Sequence, residues 1–141
     1  MEERMGSVFA EITIKNYNDL IAVEEGRKSE SEVRSITVNA LVDTGAGTLV
    51  INEEVSQKLG LNVFEVRQST LADGSKHLYK RMEGVSVHWK NRDTLCIPTM
   101  VPTAEIVLLG AIPLEDMDLI VDPKEEKLTG RHGDEIVQMI F

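Results

Sequence analysis

Residues 40–51, with the sequence ALVDTGAGTLVI, constrain the fold more than any other part of the chain, because an acidic residue separates two short apolar runs. Asp43 ends the first run, and the small residues at 44–47 lead into the second. Glycine lets a backbone approach a ligand closely, and apolar flanks would hold the carboxyl group of Asp43 partly out of water. A plain β-turn between two strands uses the same residue types. By itself, the segment indicates either a turn or a ligand-binding loop.

Most of the remaining chain carries the two-residue hydrophobic period of half-buried strands. The clearest case is 8–15, where four apolar side chains share one face. We expect further strands at 17–23, 33–42, 48–51, 63–69, 78–89, 94–100, 105–109, 119–121 and 135–141. With 42% hydrophobic residues the chain can bury a core. Many short strands with frequent turns predict a small all-β barrel or sandwich, formed by a single domain over residues 1–141.

Helix signals are few. One short helix is predicted at 53–59, because Asn52 is a good N-cap and Gly60 supplies a C-terminal stop. Outside it, we expect a helical turn at 114–119, a solvated charged loop at 24–32 and a C-terminal tail at 124–141 that contains the last strand.

The charge balance excludes several classes of function. Lys and Arg number 15 and Asp and Glu number 24, which gives a net charge of −9. So acidic a chain lacks the basic surface that binds nucleic acids or anionic membranes. No apolar run approaches the roughly 20 residues of a membrane span, and residues 1–5 lack the features of a signal peptide. The single cysteine, Cys96, cannot form an intramolecular disulfide and favours a cytoplasmic location.

Other reactive side chains favour structural roles. His77, His88 and His132 have neither close mutual spacing nor cysteine pairs beside them, so we expect no metal site and no cofactor. Cys96 and His88 would make a thiol dyad in principle. The apolar strand pattern around Cys96 favours a buried structural thiol instead.

The segment Asp43-Thr44-Gly45-Ala46, behind an apolar strand and before a short helix, resembles the active-site segment of retropepsin-like aspartic proteases. A second element of that family, an apolar run followed by glycine, is matched at residues 107–110. Between the two, residues 71–75 (LADGS) stand in the place of the family's flap hairpin, and their Asp-Gly pair is a strong hairpin signal. The resemblance covers residues 8–123 and is strongest to bacterial single-domain members. It implies a small closed β-barrel with one short helix, a psi-loop and a flap.

An aspartic endopeptidase is the activity that this resemblance implies. Such enzymes activate water between two carboxylates about 3 Å apart that share one proton. Because the chain has one Asp-Thr-Gly triplet, the second carboxylate would be Asp43 of another copy. The resemblance therefore implies a homodimer that acts on peptide or protein substrates. Thr44 would lock the two loops together across the dyad, and Gly45 would bind the substrate backbone.

The same resemblance assigns the remaining site residues. Ala46 and Gly47, together with the flap tip Asp73-Gly74-Ser75, would line the substrate cleft. Leu109 and Gly110 would brace the active-site loop as the psi segment.

Two departures from the viral pattern accompany the resemblance. Gly47 and Thr48 stand where viral members carry acidic residues, and Ala111 stands where they carry Arg. Those acidic and Arg residues pair in the viral enzymes, so their joint absence is self-consistent.

The flap and the C-terminal segment raise two further points. Gly74 is the only glycine of the flap. Residues 135–141 could either join a partner, as viral terminal strands do, or close the chain's own sheet.

Two functions of another kind remain open. A non-catalytic domain of the same fold could bind extended peptides by adding them to a sheet edge as a strand. It could also serve as a dimerisation module that keeps the loop for its turn chemistry alone.

Overall fold

A nine-stranded sheet is the main element of the structure, a computed structural model that describes residues 7–133. The elements in chain order are β1 (Val8–Asn16), α1 (Tyr17–Glu24), β2 (Ser35–Val42), β3 (Leu49–Ile51), α2 (Glu53–Leu59), β4 (Val63–Thr70), β5 (Lys76–Met82), β6 (Val85–Trp89), β7 (Arg92–Cys96), β8 (Thr99–Met100), β9 (Leu108–Leu109), α3 (Ala111–Asp116), β10 (Leu119–Asp122) and β11 (Lys127–Gly130). The sheet order is β4-β5-β8-β3-β9-β2-β1-β6-β7, and β10 pairs with β11 in a separate hairpin.

The all-β retropepsin-like class predicted from the sequence is confirmed. One detail differs from a closed barrel: the ladder of strands ends at β4 and β7, so the sheet is a curled half-barrel. Three α-helices accompany it where one helix and a helical turn at 114–119 were expected; α3 (Ala111–Asp116) overlaps that turn and begins three residues before it.

Strand β1 organises the core. It pairs antiparallel with β2 from Val8↔Val42 to Lys15↔Ser35, and its second half also pairs with β6. As the alternating pattern predicts, every second side chain is buried, from Val8 to Asn16. Aliphatic side chains from the inner faces of β1, β3, β6 and β9 and from α2 and α3 pack on this face and exclude water from it.

Strand β9 lies between β2 and β3 and makes the psi-shaped arrangement. It runs parallel to β2, with Leu41↔Leu108 in register, and antiparallel to β3, with Leu49↔Leu109 in register. The chain leaves β2, loops through residues 43–48, and returns along the other side of β9 as β3. This arrangement places the Asp43 loop at one end of β9.

The strand predicted at 17–23 is wrong, since these residues form helix α1. Asn16 caps the helix, because its side-chain oxygen accepts the backbone N–H of Asp19 at 3.0 Å. The carboxylate of Asp19 is buried and binds Lys28 Nζ at 2.6 Å and Arg34 Nε at 2.9 Å. The cap and these ion pairs outweigh the strand preference of a short apolar run. The charged segment then continues as an exposed loop with a 3₁₀ turn at Glu30–Glu32.

Helix α2 confirms its prediction at both ends. The Asn52 side chain accepts the N–H of Val55 at 2.9 Å. Gly60 ends the helix in the left-handed region, with φ of +62°, which glycine adopts at little cost.

Several predicted strands have other bounds. The segment 78–89 is two strands, because the chain turns at residues 83–84. Pro98, which has no N–H to donate, separates β7 from β8 within 94–100. The strand expected at 105–109 keeps only Leu108–Leu109, and β11 at Lys127–Gly130 lies within the expected tail. The strand expected at 135–141 lies outside the described residues.

Candidate active site

Asp43 is held at the end of β2 by main-chain hydrogen bonds to β9. Its N–H donates to Leu109 O at 2.9 Å, and the N–H of Leu41 donates to Val107 O at 2.9 Å. Its side-chain Oδ1 accepts the N–H of Gly45 at 2.9 Å. A Cβ on Gly45 would lie 3.2 Å from that same oxygen, so the loop folds closely around the carboxylate. The position of Asp43 is therefore set by the psi arrangement.

Gly110 brings the other side of the loop against the start of α3. The N–H of Ala111 donates to Ala46 O at 2.8 Å, and the N–H of Ile112 donates to Gly47 O at 3.0 Å. A Cβ on Gly110 would lie 2.2 Å from the backbone oxygen of Thr48. Only glycine fits there, as expected for a residue between two closely packed segments.

An open cleft of about 680 Å³ lies beside Asp43 and Thr44. Its apolar wall includes Val42, Leu114 and Val121, from the end of β2, helix α3 and strand β10. Thr44 is exposed at this cleft, whereas Leu109 is fully buried beneath the loop. An acidic and a hydroxyl side chain thus stand together at the edge of an open depression with both apolar and polar walls.

The predicted site residues fall into separate places. Asp43 and Thr44 line the cleft, and Gly45 lies next to them. The carbonyls of Ala46 and Gly47 are directed to helix α3 by the hydrogen bonds described above, and the lining of the cleft does not include them.

The tip Asp73-Gly74-Ser75 lies at the exposed turn of the β4–β5 hairpin, apart from the cleft. Asp73 Oδ1 accepts the N–H and the hydroxyl group of Ser75, at 2.8 and 2.6 Å, and these bonds hold the pKa of Asp73 below its usual value. Gly74 has φ of +84°, so the turn requires a residue that tolerates the left-handed region.

Sequence reasoning missed part of the cleft. Glu115, Ile120 and Arg131 contribute to its walls, and the last of these follows β11 in the segment taken for a tail. Glu115 and Arg131 are the charged members of this group. Nothing in the local pattern of residues 124–133 signals that they return to Asp43.

Arg92 ties this wall of the cleft to the main sheet. Its buried guanidinium donates to Asp118 O at 3.0 Å through Nη1 and to Gly133 O at 2.6 Å through Nη2. The carboxylate of Asp118 in turn lies 2.8 Å from His132 Nδ1. The strand β7 thereby fixes the segments on both sides of the β10–β11 hairpin.

The remaining reactive side chains lie away from the cleft. Burial raises the pKa of the Cys96 thiol to about 12, so the side chain is a neutral, structural thiol. Burial, and then the charge of Lys15, lowers the pKa of His88. Among residues 7–133, no three His, Cys, Asp or Glu side chains are grouped closely enough to bind a metal ion. No helix of that part of the chain is long and apolar enough to cross a membrane.

Comparison with known proteins finds one matching sequence family and several similar folds. The sequence model of the family described as "gag-polyprotein putative aspartyl protease" matches residues 30–122. The retroviral protease-like domain of Ddi1 from Leishmania major is similar over 92% of this chain and 90% of its own, with 17% identity and a TM-score of 0.56. A retropepsin-like aspartic protease from Rickettsia conorii is similar over 86% of this chain and 80% of its own, with 17% identity and a TM-score of 0.50. No curated protein matches the sequence significantly.

Proposed function

The chain belongs to the gag-polyprotein aspartyl protease family, and from this premise we propose that it is an aspartic endopeptidase that acts as a homodimer. The observation that carries the proposal is the geometry of Asp43. Its backbone is fixed by β9, and its side chain lines an open cleft beside the exposed Thr44. Turn chemistry accounts for the hydrogen bond from Gly45 N–H to Asp43 Oδ1, but it does not account for the open cleft beside this side chain.

The chemistry needs a second carboxylate. A water molecule becomes a nucleophile when an ionised carboxylate takes its proton, while a protonated partner donates to the developing oxyanion. One chain supplies one Asp-Thr-Gly triplet, so the second carboxylate is Asp43 of a second copy related by a two-fold axis. Two carboxylates at about 3 Å share one proton, because like charges so close cannot both be ionised.

Roles for the neighbouring residues follow from this arrangement. Thr44 hydrogen-bonds across the two-fold axis, and Gly45 accepts the amide of an extended substrate. Ala46 and Gly47, which do not line the cleft of a single chain, border the substrate channel that forms with the second copy, while Leu109 and Gly110 hold the loop in place. The β4–β5 hairpin, with Asp73-Gly74-Ser75 at its tip, closes over the bound peptide.

Exposed apolar side chains around the cleft support a partner at this face. Ile120, in the cleft wall, is 39% exposed, and Ile112, at the start of α3, is 62% exposed. A second copy would cover both while bringing its own Asp43 to the axis. We also propose a cytoplasmic location, which the single, unpaired Cys96 supports.

The test is cleavage of a denatured protein pool by the parent and by Asp43→Asn, with new peptide termini identified by mass spectrometry. Asp93→Asn, the same change at an exposed position of β7, is the matched control. We expect cleavage by the parent and the control and none by Asp43→Asn. Cleavage that survives Asp43→Asn contradicts the proposal. Peptide binding without any cleavage would instead favour the non-catalytic domain.

The homodimer is tested separately by sedimentation. Ile120→Asp buries a charge in the proposed interface, and we expect monomers without peptidase activity. Leu95→Asp, at a side chain of β7 that is 56% exposed, should leave both the dimer and the activity intact. A parent protein that is monomeric at the concentration where it cleaves peptides contradicts the shared site.

A further inference from the structure

The β4–β5 hairpin has two faces of different chemistry. From Glu65↔Arg81 to Thr70↔Lys76 the two strands pair residue for residue, so paired residues share a face. Glu65 accepts hydrogen bonds from both Arg67 and Arg81. The two arginines of the hairpin thus share one carboxylate on their own face, which leaves one net positive charge there.

The opposite face continues the core side of the sheet. Lys80 pairs with Met100 of β8, and Met100 and Met82 are both buried in the core. Side chains alternate between faces along a strand, so Leu78 and Lys76 follow Lys80 on this side. We call it the core-side face; across the pairing it also includes Val66, the partner of Lys80.

This face is apolar and cationic, and no element within residues 7–133 covers its apolar side chains. Val66 is 56% exposed and Leu78 is 71% exposed, the highest value among the large hydrophobic residues of the described chain. Within residues 7–133, no carboxylate lies within ion-pair distance of Lys76 or Lys80. Exposed apolar side chains between uncompensated charges of one sign are typical of a binding surface.

The charge of the hairpin is opposite to that of the chain. Residues 63–82 contain four Lys and Arg against two Asp and Glu, within a chain whose net charge is −9. Because Glu65 offsets one of the two arginines, the larger share of the positive charge, that of Lys76 and Lys80, lies on the core-side face. An acidic occupant complements this face.

We propose that the core-side face of the β4–β5 hairpin makes this enzyme selective for acidic segments of polypeptide. The inference rests on the proposed function and names its substrate class. Lys76 and Lys80 are four residues apart, about 13 Å along an extended strand, with Leu78 midway. The matching substrate is an extended segment with an apolar residue flanked on both sides by Asp or Glu.

A charge reversal of the two lysines tests the inference. A proteome-derived peptide library is cleaved by the parent and by Lys76→Glu/Lys80→Glu, and the termini are sequenced. We expect Asp and Glu to be enriched within four residues of the sites cut by the parent. The reversed variant should lose that enrichment and gain Lys and Arg. For single peptides, we expect about a two- to fivefold change in kcat/KM per lysine, the size of a solvent-screened ion pair.

The control and the salt dependence make the test specific. Lys58→Glu/Lys90→Glu changes the net charge equally at exposed sites of α2 and of the β6–β7 turn, and its cleavage preference should match that of the parent. The preference for acidic peptides should shrink between low salt and 1 M salt, where the screening length falls to about 3 Å. Circular dichroism shows that each variant is folded. An unchanged preference in the reversed variant overturns the inference.

Binding to the Asp43→Asn protein separates this inference from the proposed function. Fluorescent decapeptides with a central Leu-Phe pair flanked by Glu or by Lys are titrated by anisotropy. We expect the Glu peptide to bind more tightly, and Lys76→Glu/Lys80→Glu in the same background to reverse the order. Equal affinity for the two peptides overturns the inference whether or not the parent cleaves peptides.

Discussion

Replacing Gly110 by Ala tests whether main-chain crowding holds the Asp43 loop. The new Cβ would lie 2.2 Å from Thr48 O, 2.6 Å from Ala46 O and 2.8 Å from Thr48 N. All three atoms are backbone, so no side-chain rotation relieves the clash and the loop must move away from β9. We expect a loss of about 3 kcal/mol in the free energy of unfolding, the upper end of the usual cost of overpacking. A displacement of a catalytic group by 1 Å can lower the rate about a hundredfold. The peptidase activity of Gly110→Ala should therefore fall by more than its fraction of folded protein does.

Urea denaturation, followed through the fluorescence of the single tryptophan, Trp89, measures the stability at fixed protein concentration. Cleavage is assayed where the variant is fully folded. Gly47→Ala is the matched control in the same loop, since no heavy atom lies within 4 Å of its added Cβ. Its stability should equal that of the parent or exceed it by up to about 1 kcal/mol. A Gly110→Ala protein with the stability and the activity of the parent would refute the reasoning.

Three further measurements address charge and reactivity. Asp19→Asn should lower the free energy of unfolding by about 2 kcal/mol, because the buried carboxylate accepts charged hydrogen bonds from Lys28 and Arg34; urea midpoints measure the loss. The hydrogen bond from Arg34 holds the pKa of Asp19 well below its usual range. The stabilisation by the Asp19 carboxylate is therefore complete above its unfolded-state pKa of about 3.9 and is lost as pH falls below that value. Parent and variant should converge in stability in strong acid, and a constant difference between them would contradict the assignment. The Cys96 thiol, with its pKa raised to about 12, should react with iodoacetamide at pH 8 only after denaturation, and rapid alkylation of the folded protein would contradict its burial. Peptide cleavage should rise as pH falls from 7 to 4, because the proposed carboxylate pair works with one proton bound; a flat pH profile counts against that pair.

Local signals predicted the parts of the fold whose causes lie close together in the chain. The prediction of helix α2 was correct because Asn52 and Gly60 determine its two ends, with only seven residues between them. The strand predicted at 17–23 was wrong because helix α1 is stabilised by the contact of Asp19 with Arg34, fifteen residues away. An argument from local periodicity does not consider such a contact. The error therefore has a physical origin, since a short apolar run suits a strand or a helix equally well.

In the candidate site, too, the residues that could be predicted are those whose positions follow from nearby sequence. Asp43, Thr44 and the psi segment around Leu109 could be found from their order in the sequence. Arg131 could not, because it reaches the cleft through the β10–β11 hairpin and the bonds of Arg92 to Gly133. Long-range packing of this kind leaves no periodic pattern in the sequence.

Main-chain hydrogen bonds join the two segments that an ion pair joins in the viral pattern. In the viral pattern an acidic residue after the active-site triplet pairs with an Arg after the psi-loop glycine. Here Gly47 and Ala111 take those places, and the same two segments are joined by bonds from Ala111 N–H to Ala46 O and from Ile112 N–H to Gly47 O. A carboxylate–Arg contact weakens when acid protonates the carboxylate, whereas bonds between peptide groups do not titrate. The close approach that makes a side chain at Gly110 impossible therefore also holds the Asp43 loop in a way that acid does not loosen. For the proposed pair of Asp43 carboxylates, which needs one bound proton, such a brace would stay intact throughout the pH range in which the pair is active.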